Sequence, residues 1–463
     1  MSAAEGVALR LARELVLARE KPLPPAAERA ASAAVLDWFG AAIGGSDSEP
    51  VTLLRRAFVP PQAQDAAPGA GARLVGTGEA TDVSTAALLN GVASHVLEMD
   101  DIYSPGLYHP GAPTVAAALA VAQQEGATGA ALLRAVAVGY EAGDRIAAAV
   151  NPAHYQYWHT TGTVGCLGAA AAVAELRGLS AQSMAHALTL AATMASGLQQ
   201  SFRSDAMAKP LHSGHAARAG VTAGLAAAAG FTGAPDALEG AAGFGEAMGE
   251  GGDWEQVVRP VGPEYLVERT SVKPYPCCGH TFAAIDGALA LRAEPHDLGP
   301  GDIEAIEIET YRTATVVAGN PRPRTPFEAR FSAPFVVATA LLDGEVRLES
   351  FRPERLTDPA VTELLDRTGL KDTSQFTAPF PQRRGARVTV RTHGGDQHSV
   401  TVPDRKGDPD NPLSESDLTA KFTGLSEPVL GSCRTAELAA RLSTLTELAD
   451  VRQLVCYREE SDR

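Results

Sequence analysis

The chain has 463 residues, 45% of them hydrophobic and 20% charged, with 39 Lys plus Arg against 55 Asp plus Glu. That mix and length support a folded core and exclude a disordered, collagenous or disulfide-stapled protein. The net charge of −16 argues against nucleic acid or an anionic membrane as partner, yet a few inward-facing cations could still hold a small anionic substrate.

Residues 1 to about 268 are rich in Ala, Leu and Gly and read as helix. Ala8, Leu11, Ala12 and Leu15 mark an amphipathic stripe in place of a secretory h-region, and Glu28 to Ile43 forms another with Val35, Leu36 and Phe39. The five cysteines are scattered, which fits a reducing compartment; the expectation is a cytoplasmic protein with no membrane span. Small residues recur at helical spacing in Gly162, Gly165, Cys166 and Ala169, and in Gly214, Ala217 and Gly220. Such rows let helices approach closely, so a tightly packed bundle is expected. Within it lie three strips that could carry chemistry. In Glu98-Met-Asp-Asp-Ile-Tyr-Ser-Pro-Gly-Leu-Tyr-His109-Pro-Gly, carboxylates precede a loop histidine. Asp100 or Asp101 could orient that ring for general acid–base work, although a solvated loop with helix-end charges reads the same way. In Trp158-His159-Thr160-Thr161-Gly162, either threonine could cap a Gly-rich helix and His159 could face a ligand or the core. In Lys209-Pro-Leu-His212-Ser-Gly-His215, one of only six lysines sits at a helix start. An ammonium beside the positive helix end is poorly placed unless an anion lies between them.

The texture changes near residue 269. Asp302 to Tyr311 reads as a strand, Ala329 to Leu342 as a helix ending at Asp343-Gly344, and Arg387–Arg391 with His398–Val402 as a hairpin across Gly394-Gly395-Asp396. The span 269–405 is thus a smaller α/β domain. At its start, Ser271-Val-Lys273-Pro-Tyr-Pro-Cys277-Cys278-Gly-His280 offers Lys273 and His280 as carboxylate ligands or proton donors, while adjacent cysteines do not fit zinc spacing. Arg322, Arg324 and Arg330 could clamp carboxylates or be solvated. Residues 406–416 read as a linker, with Ser414 and Asp417 at capping-box spacing, and 406–463 as helices to about Glu459 that return to the first domain.

Six pieces in order resemble one family: Asp100-Asp101 to His109-Pro110, Trp158-His159-Thr160, Lys209-Pro210-Leu211-His212, Lys273-Pro-Tyr-Pro-Cys-Cys, Glu328-Ala-Arg-Phe-Ser, and Lys406-Gly-Asp-Pro-Asp-Asn-Pro-Leu-Ser. Over nearly its whole length the chain resembles the MmgE/PrpD family, which includes 2-methylcitrate dehydratase, cis-aconitate decarboxylase and iminodisuccinate epimerase. The resemblance implies a mainly α fold, with a large helical domain built from both ends of the chain and an inserted α/β lid. It further implies a homodimer and catalysis on a small di- or tricarboxylate, without metal or cofactor, in a cleft between the domains. It marks His109, His159, Lys209 and Asp101 as catalytic, and Lys273, His280, Asp100, Cys278 and Arg330 as substrate-binding. Cis-aconitate decarboxylases differ in carrying a histidine in place of Cys278 and a tyrosine in place of Ala318. The expectation is a dehydratase-type lyase; an epimerase, a decarboxylase and a carboxylate-binding scaffold without turnover are its alternatives.

Overall fold

The computed structural model describes residues 5–60, 71–202, 206–293 and 299–457. The fold is mainly α. It divides into two units, Met1–Val272 with Ser414–Arg463, and Lys273–Leu413. The sequence placed these boundaries at 268/269 and 405/406; the structural division falls four and eight residues further on.

The first unit begins with Val7–Arg19 (α1), which buries Leu11 and Leu15 as the stripe predicts. Pro25–Gly45 (α2) starts on proline, whose missing N–H is no loss at a first turn. Glu49–Phe58 (α3) and a two-residue ladder, Ala72–Arg73 (β1) with Ala80–Thr81 (β2), follow. Val83–His95 (α4) is capped by the Asp82 carboxylate, which accepts from the Ser84 and Thr85 N–H groups. Next come Gly111–Glu125 (α5), Gly129–Val150 (α6), Thr160–Leu176 (α7), Ala181–Thr193 (α8) and Ala208–Ala228 (α9).

Helix α7 is buried from Thr160 to Glu175 and packs on α5, α6, α8 and α9. Its neighbours come close because glycine stands at the crossings. A Cβ on Gly214 of α9 would lie 2.3 Å from the Leu88 carbonyl oxygen of α4, and one on Gly220 would lie 2.3 Å from the Ala169 Cβ of α7. The predicted rows of small residues are therefore contact surfaces, and this packing offsets the glycines' helix-propensity cost of up to about 1 kcal/mol each.

The second unit contains Phe282–Ala293 (α10), Ile303–Thr310 (β3), Ala333–Asp343 (α11), Pro359–Asp366 (α12), Thr368–Asp372 (β4), Ala386–Thr392 (β5) and Gln397–Val402 (β6). Its sheet has the order β4-β3-β5-β6; β3 and β4 are parallel and the other pairs antiparallel. The β5–β6 hairpin pairs Val390 with His398 across the predicted turn, and Val388 and Val390 are both fully buried. They meet Ile285, Ile306, Ile308 and Phe335 in one core. Helix α11 starts four residues later than expected. Pro326–Arg330 makes a separate turn, after which the Ser332 hydroxyl caps α11 by accepting from the Phe335 N–H.

Ser414 and Asp417 form the predicted capping box at the start of Glu415–Leu430 (α13), which packs along α2 with Phe422 against Gly40. Ser432–Ser443 (α14) follows, and Leu445–Glu447 and Val451–Gln453 are single 3-10 turns. The expected helix end near Glu459 lies outside the described residues. No described helix is long and apolar enough to cross a membrane.

Candidate active site

Three sequence-distant strips of the first unit meet around a group of histidines. After α4 ends at His95, Glu98 adopts a left-handed conformation with φ of 59°. That costs a non-glycine residue about 1 kcal/mol or more. Its carboxylate takes an ion pair from Lys209 Nζ in the first turn of α9. The anion that a lysine at a helix start called for is thus supplied by the chain itself.

Asp100 and Asp101 point in different directions. A single oxygen of Asp100, Oδ2, lies 2.5 Å from His95 Nδ1 and 3.2 Å from His109 Nδ1. The Asp101 carboxylate accepts from the Tyr140 hydroxyl at 2.6 Å and from the Gly111 N–H at 3.0 Å. Asp101 therefore differs from its expected catalytic placement: its side chain anchors the start of α5, and only its carbonyl oxygen, 2.7 Å from His109 Nδ1, reaches the imidazole. A carbonyl can only accept, so Nδ1 carries the proton and Nε2 of the neutral ring carries the lone pair. Burial pushes the Asp101 carboxyl up to about 7; the Asp100 and Asp37 charges add to the rise, while the bonds from Tyr140 and Gly111 oppose it.

The loop from Ile102 to Pro110 is held on several sides. Tyr103 and Tyr108 bond each other's backbone, Ile102 and Ser271 do the same, and Asn151 donates to the Gly106 carbonyl. The His109 N–H donates to the Thr161 hydroxyl at 3.2 Å. Neither threonine caps α7; its N-cap residue is His159, with no side-chain cap bond.

His159 is buried, with its ring centroid 5.5 Å from that of His95 and 6.5 Å from that of His109. Its Nδ1 lies 3.1 Å from Nδ1 of His212, so one of the two rings donates to the other. Burial holds His159 well below the ordinary imidazole range, and charge on His95, Lys209, His109 and His212 adds to the effect. Burial likewise lowers His212 to about 4. Both rings are neutral at neutral pH. The side chains of His109, Glu98 and Lys209 are each 16% exposed, whereas those of His95 and Asp100 are 0% and 3% exposed. The cluster thus has an accessible rim of an imidazole, an ammonium and a carboxylate, backed by buried imidazoles.

Among the described residues, His95, Asp100 and His109 bring one nitrogen or oxygen each within 4.8 Å of one another, as close as metal ligands stand. Both Nδ1 atoms face Asp100 Oδ2. Their protons fill this arrangement, since a carboxylate and a carbonyl both accept. We therefore read it as a hydrogen-bond network.

The other expected site residues belong to the second unit. Lys273 is buried, and the half-buried Cys278 donates its N–H to the Arg330 carbonyl at 2.8 Å. The Arg330 guanidinium lies 5.7 Å from the centre of the Phe351 ring, an arrangement that favours cation–π attraction. His280 Nδ1 lies 2.7 Å from the Tyr311 hydroxyl, and burial lowers its imidazole to about 3, helped by Arg384 and Arg405. Arg322 is an exposed partner of Asp366. The sequence reading missed His95, Tyr140 and the pairing of Glu98. The signal for His95 was its position five residues before Asp100, at the last turn of an otherwise unremarkable helix.

Comparison with known proteins agrees with this architecture. A cis-aconitate decarboxylase-like protein of Aspergillus oryzae is 28% identical over 397 residues, spanning 80% of this chain and 81% of that protein. A cis-aconitate decarboxylase of Aspergillus terreus is 26% identical over 441 residues, 90% of this chain and 88% of its own. The human cis-aconitate decarboxylase is 29% identical over 382 residues, 79% and 77% respectively. The MmgE/PrpD N-terminal domain matches residues 10–257 and the MmgE/PrpD C-terminal domain matches residues 275–445. Between them the two matches take in the histidine cluster, Lys209, Cys278 and Arg330, and the chain belongs to the MmgE/PrpD family.

Proposed function

We propose that the protein is a lyase that moves a proton at a carbon alpha to a carboxylate of a small di- or tricarboxylate. The observation that carries this reading is the rim of the cluster. There the bond to the Asp101 carbonyl fixes the His109 tautomer with the lone pair on Nε2, and His109 shares the surroundings of His159 with the Lys209 ammonium. Lys209, held by Glu98, binds a substrate carboxylate and stabilises the charge that develops on an enolate-like intermediate. His109 transfers the proton, with its ring steered by Asp100 and by the Asp101 carbonyl. His159, neutral and buried, is a second hydrogen-bonding contact for the substrate.

Two leaving groups fit this chemistry. The named relatives favour CO2. In that case His109 as imidazolium delivers a proton to the alkene carbon alpha to one carboxylate. The double bond shifts, and the C–C bond to a carboxylate on the neighbouring arm breaks to release CO2. Cys278 and Ala318 favour water as a second reading, because they stand where the resemblance assigns decarboxylases a histidine and a tyrosine. Here neutral His109 removes the Cα proton and an acid protonates the departing hydroxyl. The two run His109 in opposite directions, so their pH profiles oppose each other. Decarboxylation falls as pH rises through the His109 titration; dehydration falls as pH drops through it. The experiment is to incubate the protein with cis-aconitate, citrate and methylcitrate, following CO2 release, water loss and solvent deuterium uptake across pH. Deuterium uptake without CO2 release or water loss would point to an epimerase. Carboxylate binding with no chemistry on any acid would overturn the lyase reading in favour of a binding protein.

A further inference from the structure

His95 stands behind His109 with no role in the scheme above. It is fully buried at the end of α4, and its Nε2 has no hydrogen-bond partner among the described residues. Burying such an atom is costly, so something on the ring's other side has to offset it. That side is Nδ1, which lies 2.5 Å from the same Asp100 oxygen that His109 approaches at 3.2 Å. The two rings meet edge to face, with centroids 5.1 Å apart, and His159 stacks on His95 at 5.5 Å.

We infer that His95 is a positioning residue that sets the proton affinity of His109 by donating its own Nδ1 proton to the carboxylate oxygen the two imidazoles share. The inference rests on His109 being the proton-transferring group. An ionised Asp100 paired with His109 alone would hold the imidazolium strongly and make it a sluggish acid. A neutral second donor on the same oxygen draws off part of that charge without adding a cation. It also pins the oxygen, fixing the ring plane that presents His109 Nε2. The other ionisable groups around the pair are His159 at the start of α7, Lys209 and His212 on α9, Glu98 and Asp101 on the connecting strip, and Asp37 of α2 with Lys421 of α13, whose ammonium also bonds the Met99 carbonyl.

The test is an NMR titration of the full chain with histidine labelled on its ring nitrogens, comparing wild type with His95→Phe and His95→Asn. Phe keeps a ring but no donor, and Asn places an N–H near the position of Nδ1. In the wild type, His95 is expected as the Nδ1–H tautomer. His95→Phe should move the His109 midpoint upward by about one pH unit, because the undivided Asp100 charge favours the imidazolium. His95→Asn should restore most of the wild-type value. A wild-type His95 carrying its proton on Nε2, or a His109 midpoint unmoved by His95→Phe, would overturn the proposal. The tautomer is read on the wild type, so the question is answered even if the Phe variant does not fold. Turnover reports separately on the lyase reading: absence of activity with every acid, together with the expected titration, would leave the coupling standing and remove the function assigned to it.

Discussion

At the scale of single residues, the site is built from side chains whose roles follow from what each oxygen and nitrogen can do. His109 is held through Nδ1, which leaves the lone pair of the neutral ring on Nε2. Its replacement by alanine in a folded protein should lower turnover about 100- to 10,000-fold, the range for general acid–base catalysis, as read by kcat on whichever acid the protein uses. Lys209→Met should raise KM for that acid and also lower kcat, because Lys209 both binds a carboxylate and stabilises the developing charge. The buried acids predict how stability depends on pH. Asp101 is raised from 3.8 to about 7, chiefly by burial, and Asp144, whose two oxygens have no hydrogen-bond partner among the described residues, is raised well above 3.8 for the same reason. The folded chain therefore holds protons on these groups that the unfolded chain has released. Stability falls as pH rises from about 4 through 7; for Asp101 alone the total is at most on the order of 4 kcal/mol. Chemical denaturation at a series of pH values should show this decline, and Asp144→Asn should be more stable than wild type at pH 8.

At the scale of helices, the site depends on how closely α4, α7 and α9 approach. His95 ends α4, His159 immediately precedes α7 and Lys209 lies in the first turn of α9. Gly214 lets α9 lie against α4, and the oxygen that an added methyl would strike belongs to the backbone of Leu88, which cannot rotate away. Gly214→Ala is thus expected to destabilise the first unit by about 1–3 kcal/mol, in the manner of overpacking, measured as a shift of the denaturation midpoint. The rows of small residues were legible in the sequence, because period and residue size are local properties. The start of α11 was not: Ala329 continues the apolar pattern, but the hydroxyl of Ser332 captures the helix start.

At the scale of the whole molecule, one unit is made from both ends of the chain and the other from the intervening stretch. The returning segment does more than cover apolar surface. Phe422 and Leu425 pack against Gly40 and Gly44 of α2, and Lys421 pairs with Asp37, which is 4% exposed. A chain ending at Leu413 would leave that buried carboxylate without its cation, a loss of about 3–5 kcal/mol before any lost packing is counted. Such a truncation should abolish cooperative unfolding of the first unit while the far-UV signature of strands in the second unit survives, as followed by circular dichroism during heating.

The sequence by itself determined the helical class, the inserted α/β unit's hairpin and strand, the family, and the strips bearing His109, His159 and Lys209. All of these are written in local spacing and residue type. Only the tertiary structure decided which atoms meet: that Glu98 holds Lys209, that Asp101 turns its carboxylate to Tyr140, and that His95 shares Asp100 with His109. These contacts depend on a left-handed residue at Glu98 and on helices brought together by glycines far apart in the chain. Side-chain direction at a bend, unlike helical period, is set by the neighbours that the fold supplies.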